Sequence, residues 1–237
     1  MKVFFEKSMK SKKEIFVLNN GIIKEQIKKA SEVNMKWKVT SIDKETEHRF
    51  LNFYTVHYKV ENEDGKEKDY SYFVASRNES VDNLRINRKQ YGRPDAVLIG
   101  CYKIINHELY LLLESQFRPA LNREVISFPA GLMDPEDNDI KETAIREVKE
   151  ETGYDVSHVE LLLPASPTSE GLSDECNAVV LAELKAKGTD NKEEFEDIDA
   201  ALCSREKIKE MLLDDSYLFS NSARLLILYL LERFKNV

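Results

Sequence analysis

The chain has 237 residues, 42% hydrophobic and 33% charged, which excludes a disordered or fibrous protein and suits one large domain or a small one joined to a larger one. Its formal net charge of −8 argues against non-specific nucleic-acid binding, which needs a basic footprint, and requires that any anionic ligand be met by locally gathered cations. No apolar run approaches the roughly 20 residues of a membrane helix. The start, MKVFFEKSMKSKKEIF, is basic, but its apolar core from Val3 to Phe5 is too short for a secretory segment. The expected compartment is therefore the cytoplasm, with neither membrane nor nucleic acid as partner. Cys101, Cys176 and Cys203 show no disulfide or zinc spacing and read as reduced thiols, and the four histidines (His48, His57, His107, His158) form no ligand pair.

In chain order, a helical patch near Ile22 to Ala30 precedes a β-rich stretch. RFLNFYTVHYKVEN alternates apolar and polar residues, EDGKEK supplies an Asp-Gly turn, and DYSYFVASRN returns as a partner strand, which predicts a hairpin. Trp37, Phe50, Phe53, Tyr54, Tyr58, Tyr70, Tyr72 and Phe73 are expected to form the core of this region and a dimer contact. Gly92 and Pro94 in YGRPD punctuate the chain and predict domains at 1–94 and 95–237. Beyond them, AVLIGCYKI and ELYLLLESQF read as strands joined by INH, and REVISFPAG as a further strand. After an acidic loop and a helix, HVELLLPA and CNAVVLAELKA read as strands separated by the loop SPTSEGLSDE. Two helices, roughly 204–213 and 222–234, complete an α/β pattern of a mixed sheet with helices packed against it.

The helix AIREVKEETGY carries the chemistry. Asp139 is placed to cap its start with Glu142 three residues on, and Gly153 suits the left-handed position at its end. Ile140, Ala144, Ile145 and Val148 form the apolar stripe. Glu147, Glu150 and Glu151 crowd the last turns, where the helix dipole is already negative, and Glu147 and Glu151 are like charges four apart. At about 100° per residue Glu150 falls on the solvent side, four residues from Arg146, and is explained as an exposed ion pair. Glu151 falls within the apolar arc and Glu147 at its edge. A carboxylate turned inward must be paired or must ligate a metal, and a hard divalent ion takes carboxylate oxygens while keeping waters and phosphates as its other ligands.

Residues Gly131 to Tyr154, GLMDPEDNDIKETAIREVKEETGY, resemble the signature of the Nudix hydrolase family. The second half matches at every fixed position: Arg146, Glu147, Val148, Glu150, Glu151, Gly153 and Tyr154. The first half is one residue longer than the pattern, so its glutamate becomes Asp137 counted from Gly131 or Asn138 counted from Arg146. That role is carried to neither residue. The resemblance implies a Nudix-type α/β/α sandwich with a mixed sheet, preceded by a small β-rich N-terminal domain. It implies that Glu147 and Glu151 hold Mg²⁺, with Mn²⁺ as the alternative, that Glu150 contributes, that Arg146 orients the glutamates and that the Ala130 carbonyl completes the metal shell.

The flanking segments resemble the ADP-ribose and nucleoside-diphosphate-sugar pyrophosphatase subgroup. In QFRPALNREVISFPAG, Arg118 is the candidate for gripping phosphate or ribose and Gly131 lies at the substrate, while Ser127 stands where the subgroup usually has a glutamate. In SPTSEGLSDE, Glu175 is the candidate for activating water, with Glu170 as the alternative. The subgroup also implies a homodimer in which the β-rich segment reaches a second subunit. The expected reaction is hydrolysis of ADP-ribose to AMP and ribose 5-phosphate. The competing expectations are a different nucleotide anhydride, and a non-catalytic domain that senses ADP-ribose-like ligands.

Overall fold

The computed structural model describes residues 36–88, 92–188 and 198–237. The helical patch expected near Ile22 to Ala30 lies outside the described residues. The chain divides into two compact units, Met1–Val81 and Asp82–Val237.

The described part of the first unit is an antiparallel three-stranded sheet ordered β1-β2-β3, with β1 at Lys36–Lys44, β2 at Asn52–Glu61 and β3 at Glu67–Ser76. The β2–β3 hairpin is the one its alternation and Asp-Gly turn predict. Gly65 takes a φ of 75°, and the Asn62 side chain accepts from the backbone N–H groups of Asp64 and Lys66. The core part of the aromatic expectation is corrected. Of the eight aromatics Tyr54 is fully buried, whereas Trp37, Phe50 and Phe73 are 63%, 68% and 66% exposed. A sheet of three strands has no second layer of its own to cover both faces. Trp37, Tyr58 and Tyr70 instead stack in a row, with ring centroids 5.4 and 5.6 Å apart.

The second unit holds a seven-stranded mixed sheet. β4 (Ala96–Ile105) and β5 (Glu108–Arg118) form a hairpin whose turn residues Asn106 and His107 both have positive φ, 52° and 63°. The path through the sheet is β10-β5-β4-β9-β8, with β8 at Tyr154–Pro167, β9 at Cys176–Lys187 and β10 at Ile198–Ser204. β4 and β9 run parallel, and the other pairs are antiparallel. β6 (Arg123–Ser127) pairs with β5, and β7 (Ala130–Leu132) pairs with β4. The β4–β5 pairing runs only from Ile105↔Glu108 to Tyr102↔Leu111, and beyond it β6 takes up β5 while β7 takes up β4.

Alternate residues of β4 build two cores. Val97, Ile99 and Cys101 join Ala144 and Val148 of helix α1 (Ile140–Thr152). Leu98 joins Ile208 and Met211 of α2 (Arg205–Leu213) and Ala223, Leu226, Ile227 and Leu230 of α3 (Asn221–Arg233). The sheet is therefore covered on both faces, the α/β/α arrangement expected. Burial of a valine such as Val148, at 0% exposure, contributes about 1.5–3 kcal/mol to the docking of α1. One member of the expected stripe is corrected: Ile145 is 47% exposed, and Thr143, Thr152 and Glu151 are buried in the same helix.

Candidate active site

Helix α1 begins and ends where its sequence signals lie. The Asp139 carboxylate accepts from the N–H groups of Lys141 and Glu142 at 2.8 and 3.0 Å. The Glu142 carboxylate reaches back to Asn138, accepting from its backbone and side-chain nitrogens at 2.9 and 2.8 Å. At the other end Gly153 adopts a φ of 74° and donates to Lys149 O. The Lys149 ammonium donates to Gly153 O and pairs with Asp155, placing a cation on the negative pole of the helix.

The three glutamates of the signature box, Gly131 to Tyr154, have three environments. Glu150 is 45% exposed at its side chain and pairs with Arg146 at 3.1 Å, the solvent-side ion pair expected. Glu151 is 8% exposed, on the face of α1 that meets the sheet. Glu147 is 13% exposed at its side chain and packs over Gly131, whose Cα faces the carboxylate so closely that a Cβ there would overlap it. β7 holds Gly131 in this position through its pairing with Val97 of β4. Burial pushes the Glu147 carboxyl above its ordinary pKa, and the adjacent Arg146 guanidinium, 2.8 Å away, opposes that shift.

Arg146 is the hub. It donates to Asp137 at 3.0 Å, to Glu150 at 3.1 Å and to Leu132 O at 3.1 Å, and lies 3.3 Å from Asp134. Burial works against its charge, but the hydrogen bond to Asp137 and the charges of Glu147 and Glu150 outweigh it and raise its pKa. Asp137 also accepts from Thr143 Oγ1 at 2.8 Å and from Asp134 N–H at 2.9 Å. The Arg146 hydrogen bond and these donors hold its carboxyl at about 2. In the irregular first half of the signature, then, Asp137 is the residue that engages Arg146, a role the spacing leaves unassigned. Asn138 is taken up by Glu142.

The other expected residues lie on β7, on β5 and in the loop before β9. Ala130 pairs with Leu98 in β7, one residue from Gly131. Glu175 immediately precedes β9; its carboxylate accepts from Thr168 Oγ1 at 3.1 Å and its backbone carbonyl from Thr168 N–H at 3.1 Å. Glu170 is exposed at the tip of the same loop. Arg118 is exposed at the end of β5, opposite Arg123. Ser127 lies directly across from Glu114 of β5, which is 6% exposed. Glu114 is two residues along β5 from Leu112, which packs with α1, so alternation puts it on the α1 side of the sheet, and the buried Cys101 thiol there is pushed up by burial first and then by the charges of Glu114 and Glu151. Glu114 was not singled out from the sequence; the available signal was the serine at 127.

Among the described residues no three His, Cys, Asp or Glu side chains form a ready-made metal cage. Two carboxylates one helical turn apart, one of them packed over Gly131, nevertheless fit a hard divalent ion that keeps several waters and takes only one or two carboxylates from a protein.

The model of the NUDIX domain matches residues 94–221, more than half of the chain. The chain belongs to the Nudix family. Over 111 residues it is 35% identical to an ADP-ribose pyrophosphatase of Saccharomyces cerevisiae, a match covering 45% of this chain and 41% of that protein. Over 123 residues it is 33% identical to the methanol dehydrogenase activator of Bacillus methanolicus, covering 50% of this chain and 63% of that protein. The chain spans about half the length of the curated relatives it matches. The Nudix fold is shared with the crystal structure of an ADP compounds hydrolase at a TM-score of 0.58 and 17% identity, over 85% of this chain and 97% of that one.

Proposed function

We propose that this Nudix protein hydrolyses the phosphoanhydride of ADP-ribose, or of a related nucleoside diphosphate sugar, with Mg²⁺ as cofactor. The observation that carries the reading is the Glu147–Gly131 packing on the helix that also buries Glu151, two inward carboxylates one turn apart with clearance provided for the first. The resemblance of the flanks to ADP-ribose pyrophosphatases, and a relative of that name, support the substrate class.

Glu147 and Glu151 would hold the ion, with the Ala130 carbonyl beside them and Glu150 contributing through Arg146. A divalent ion held there would supply positive charge against the pyrophosphate oxygens and would acidify a water. Arg146, fixed by Asp137 and Leu132 O, keeps the Glu147 carboxylate from swinging away. Glu175 takes the proton from the attacking water, and Arg118 offers a planar fork to phosphate. The 1–94 region serves as the dimerisation part of a cytoplasmic homodimer, and 95–237 as the hydrolase domain.

Purified protein with Mg²⁺ is expected to release AMP from ADP-ribose, followed by chromatography, and Glu151→Gln to abolish release while retaining its circular dichroism spectrum. A fully active Gln variant would remove the ligand role. A panel of UDP- and GDP-sugars assayed in parallel ranks the substrates.

A further inference from the structure

Glu175 meets Thr168 through its carboxylate and its backbone carbonyl, and both of its chain neighbours are tied to one buried ion pair. Arg85 and Asp95 meet at 2.7 Å with side chains 6% and 20% exposed. On one side of Glu175, the Asp174 carboxylate accepts from Arg85 N–H at 3.1 Å. On the other, Cys176 N–H donates to Asp95 Oδ2 at 2.8 Å, the same oxygen that accepts from the Arg85 guanidinium. Asp95 N–H donates in return to Cys176 O at 2.7 Å.

The same pair is connected to the glutamate helix. Asp95 O accepts from Met133 N–H at 3.0 Å, just past the Ala130–Leu132 strand that supports Glu147. Arg85 also donates to Arg93 O at 3.1 Å, and the Arg93 guanidinium donates to Asp134 O and Asp137 O at 2.5 and 3.0 Å. Asp134 and Asp137 are the carboxylates that hold Arg146. An unbroken run of contacts therefore joins the Glu175 loop to the support of Glu147.

We propose that Arg85 and Asp95 are positioning residues whose buried pair sets Glu175 relative to the box glutamates. Carboxylates on a loop are mobile by default, and proton transfer needs heavy atoms within about 2.6–3.2 Å. Two anchors flanking a single residue confine it as a loop closed by one hydrogen bond does not. This proposal rests on the reading of Glu175 as the water-activating group.

The test is a double-mutant cycle on kcat with Mg²⁺ and ADP-ribose, combined with amide hydrogen exchange. Asp95→Asn keeps an acceptor for Cys176 N–H, and Asp174→Ala releases one anchor without opening the buried pair. Each is expected to lower kcat on the order of 10- to 100-fold with KM changed less than about threefold. Placed on Glu175→Gln, each is expected to lower kcat less than about twofold further. Equal losses in both backgrounds would overturn the clamp and leave the role of Glu175 intact. Full activity of Glu175→Gln alone would overturn both. Exchange at 168–176 is expected to rise in either clamp variant while α1 stays protected, whether or not ADP-ribose is the substrate. Unchanged protection of that loop overturns the proposal.

Discussion

The Glu147 carboxylate occupies the space that any side chain at Gly131 would need: a Cβ built there overlaps the carboxyl carbon and both oxygens of Glu147. The glycine is thus required for clearance beside α1, since its φ is not among the positive values of the chain. Gly131→Ala is expected to push Glu147 off its position and lower kcat on the order of 100-fold. Overpacking at the α1–β7 contact should cost only about 1–3 kcal/mol of stability. Parallel kinetics and urea denaturation separate the two effects; an alanine variant with wild-type kcat contradicts the packing role.

Arg146 engages Asp137, Glu147, Glu150 and Leu132 O together, which a point-charged ammonium cannot do. Arg146→Lys should therefore lose stability by about 1–3 kcal/mol and activity by at least roughly tenfold despite its conserved charge. Equal kcat and equal urea midpoint in the lysine variant would show that charge alone suffices.

Asp137 makes a pH-dependent contribution of defined sign. Its neighbours hold the carboxyl at about 2 in the folded protein, below the ordinary aspartate value of 3.8. The stabilisation is fully present above the unfolded pKa and is lost as pH falls through the folded one, so the window lies between about pH 4 and about pH 2. Asp137→Asn should be less stable at neutral pH by on the order of 1–3 kcal/mol and should lack this component of the acid decline. Denaturation midpoints from pH 6 to pH 2 for both proteins provide the comparison.

Metal dependence can be read without turnover. Mg²⁺ at 100 times its dissociation constant should add about 2.7 kcal/mol to the stability of the wild-type protein. EDTA should reverse the shift, and Glu151→Gln should show none. A variant whose melting midpoint still rises with Mg²⁺ as the wild type's does would place the ion elsewhere. Because burial raises the Glu147 pKa, protons compete for that ligand and the Mg²⁺ shift should weaken as pH falls.

Local signals within a few residues determined much of this protein. Alternation marks the β2–β3 hairpin, apolar runs joined by INH mark β4 and β5, Asp139 and Gly153 bound α1, and the helical period turns Glu151 inward and Glu150 outward. Those features depend on side-chain direction along one element, which spacing encodes. Strand β10 has no such local signal, and Trp37, Phe50 and Phe73 lie outside the expected core, because burial depends on which layers meet and not on residue type.

Only the tertiary structure decided what surrounds the box. It gave Asp137 to Arg146, set Glu114 across from Ser127, and put Gly131 under Glu147. It also joined Arg85 and Asp95 to Asp174 and Cys176 across some eighty to ninety positions of chain. Contacts of that range are chosen by strand register and loop closure, and no periodicity within a single segment carries them.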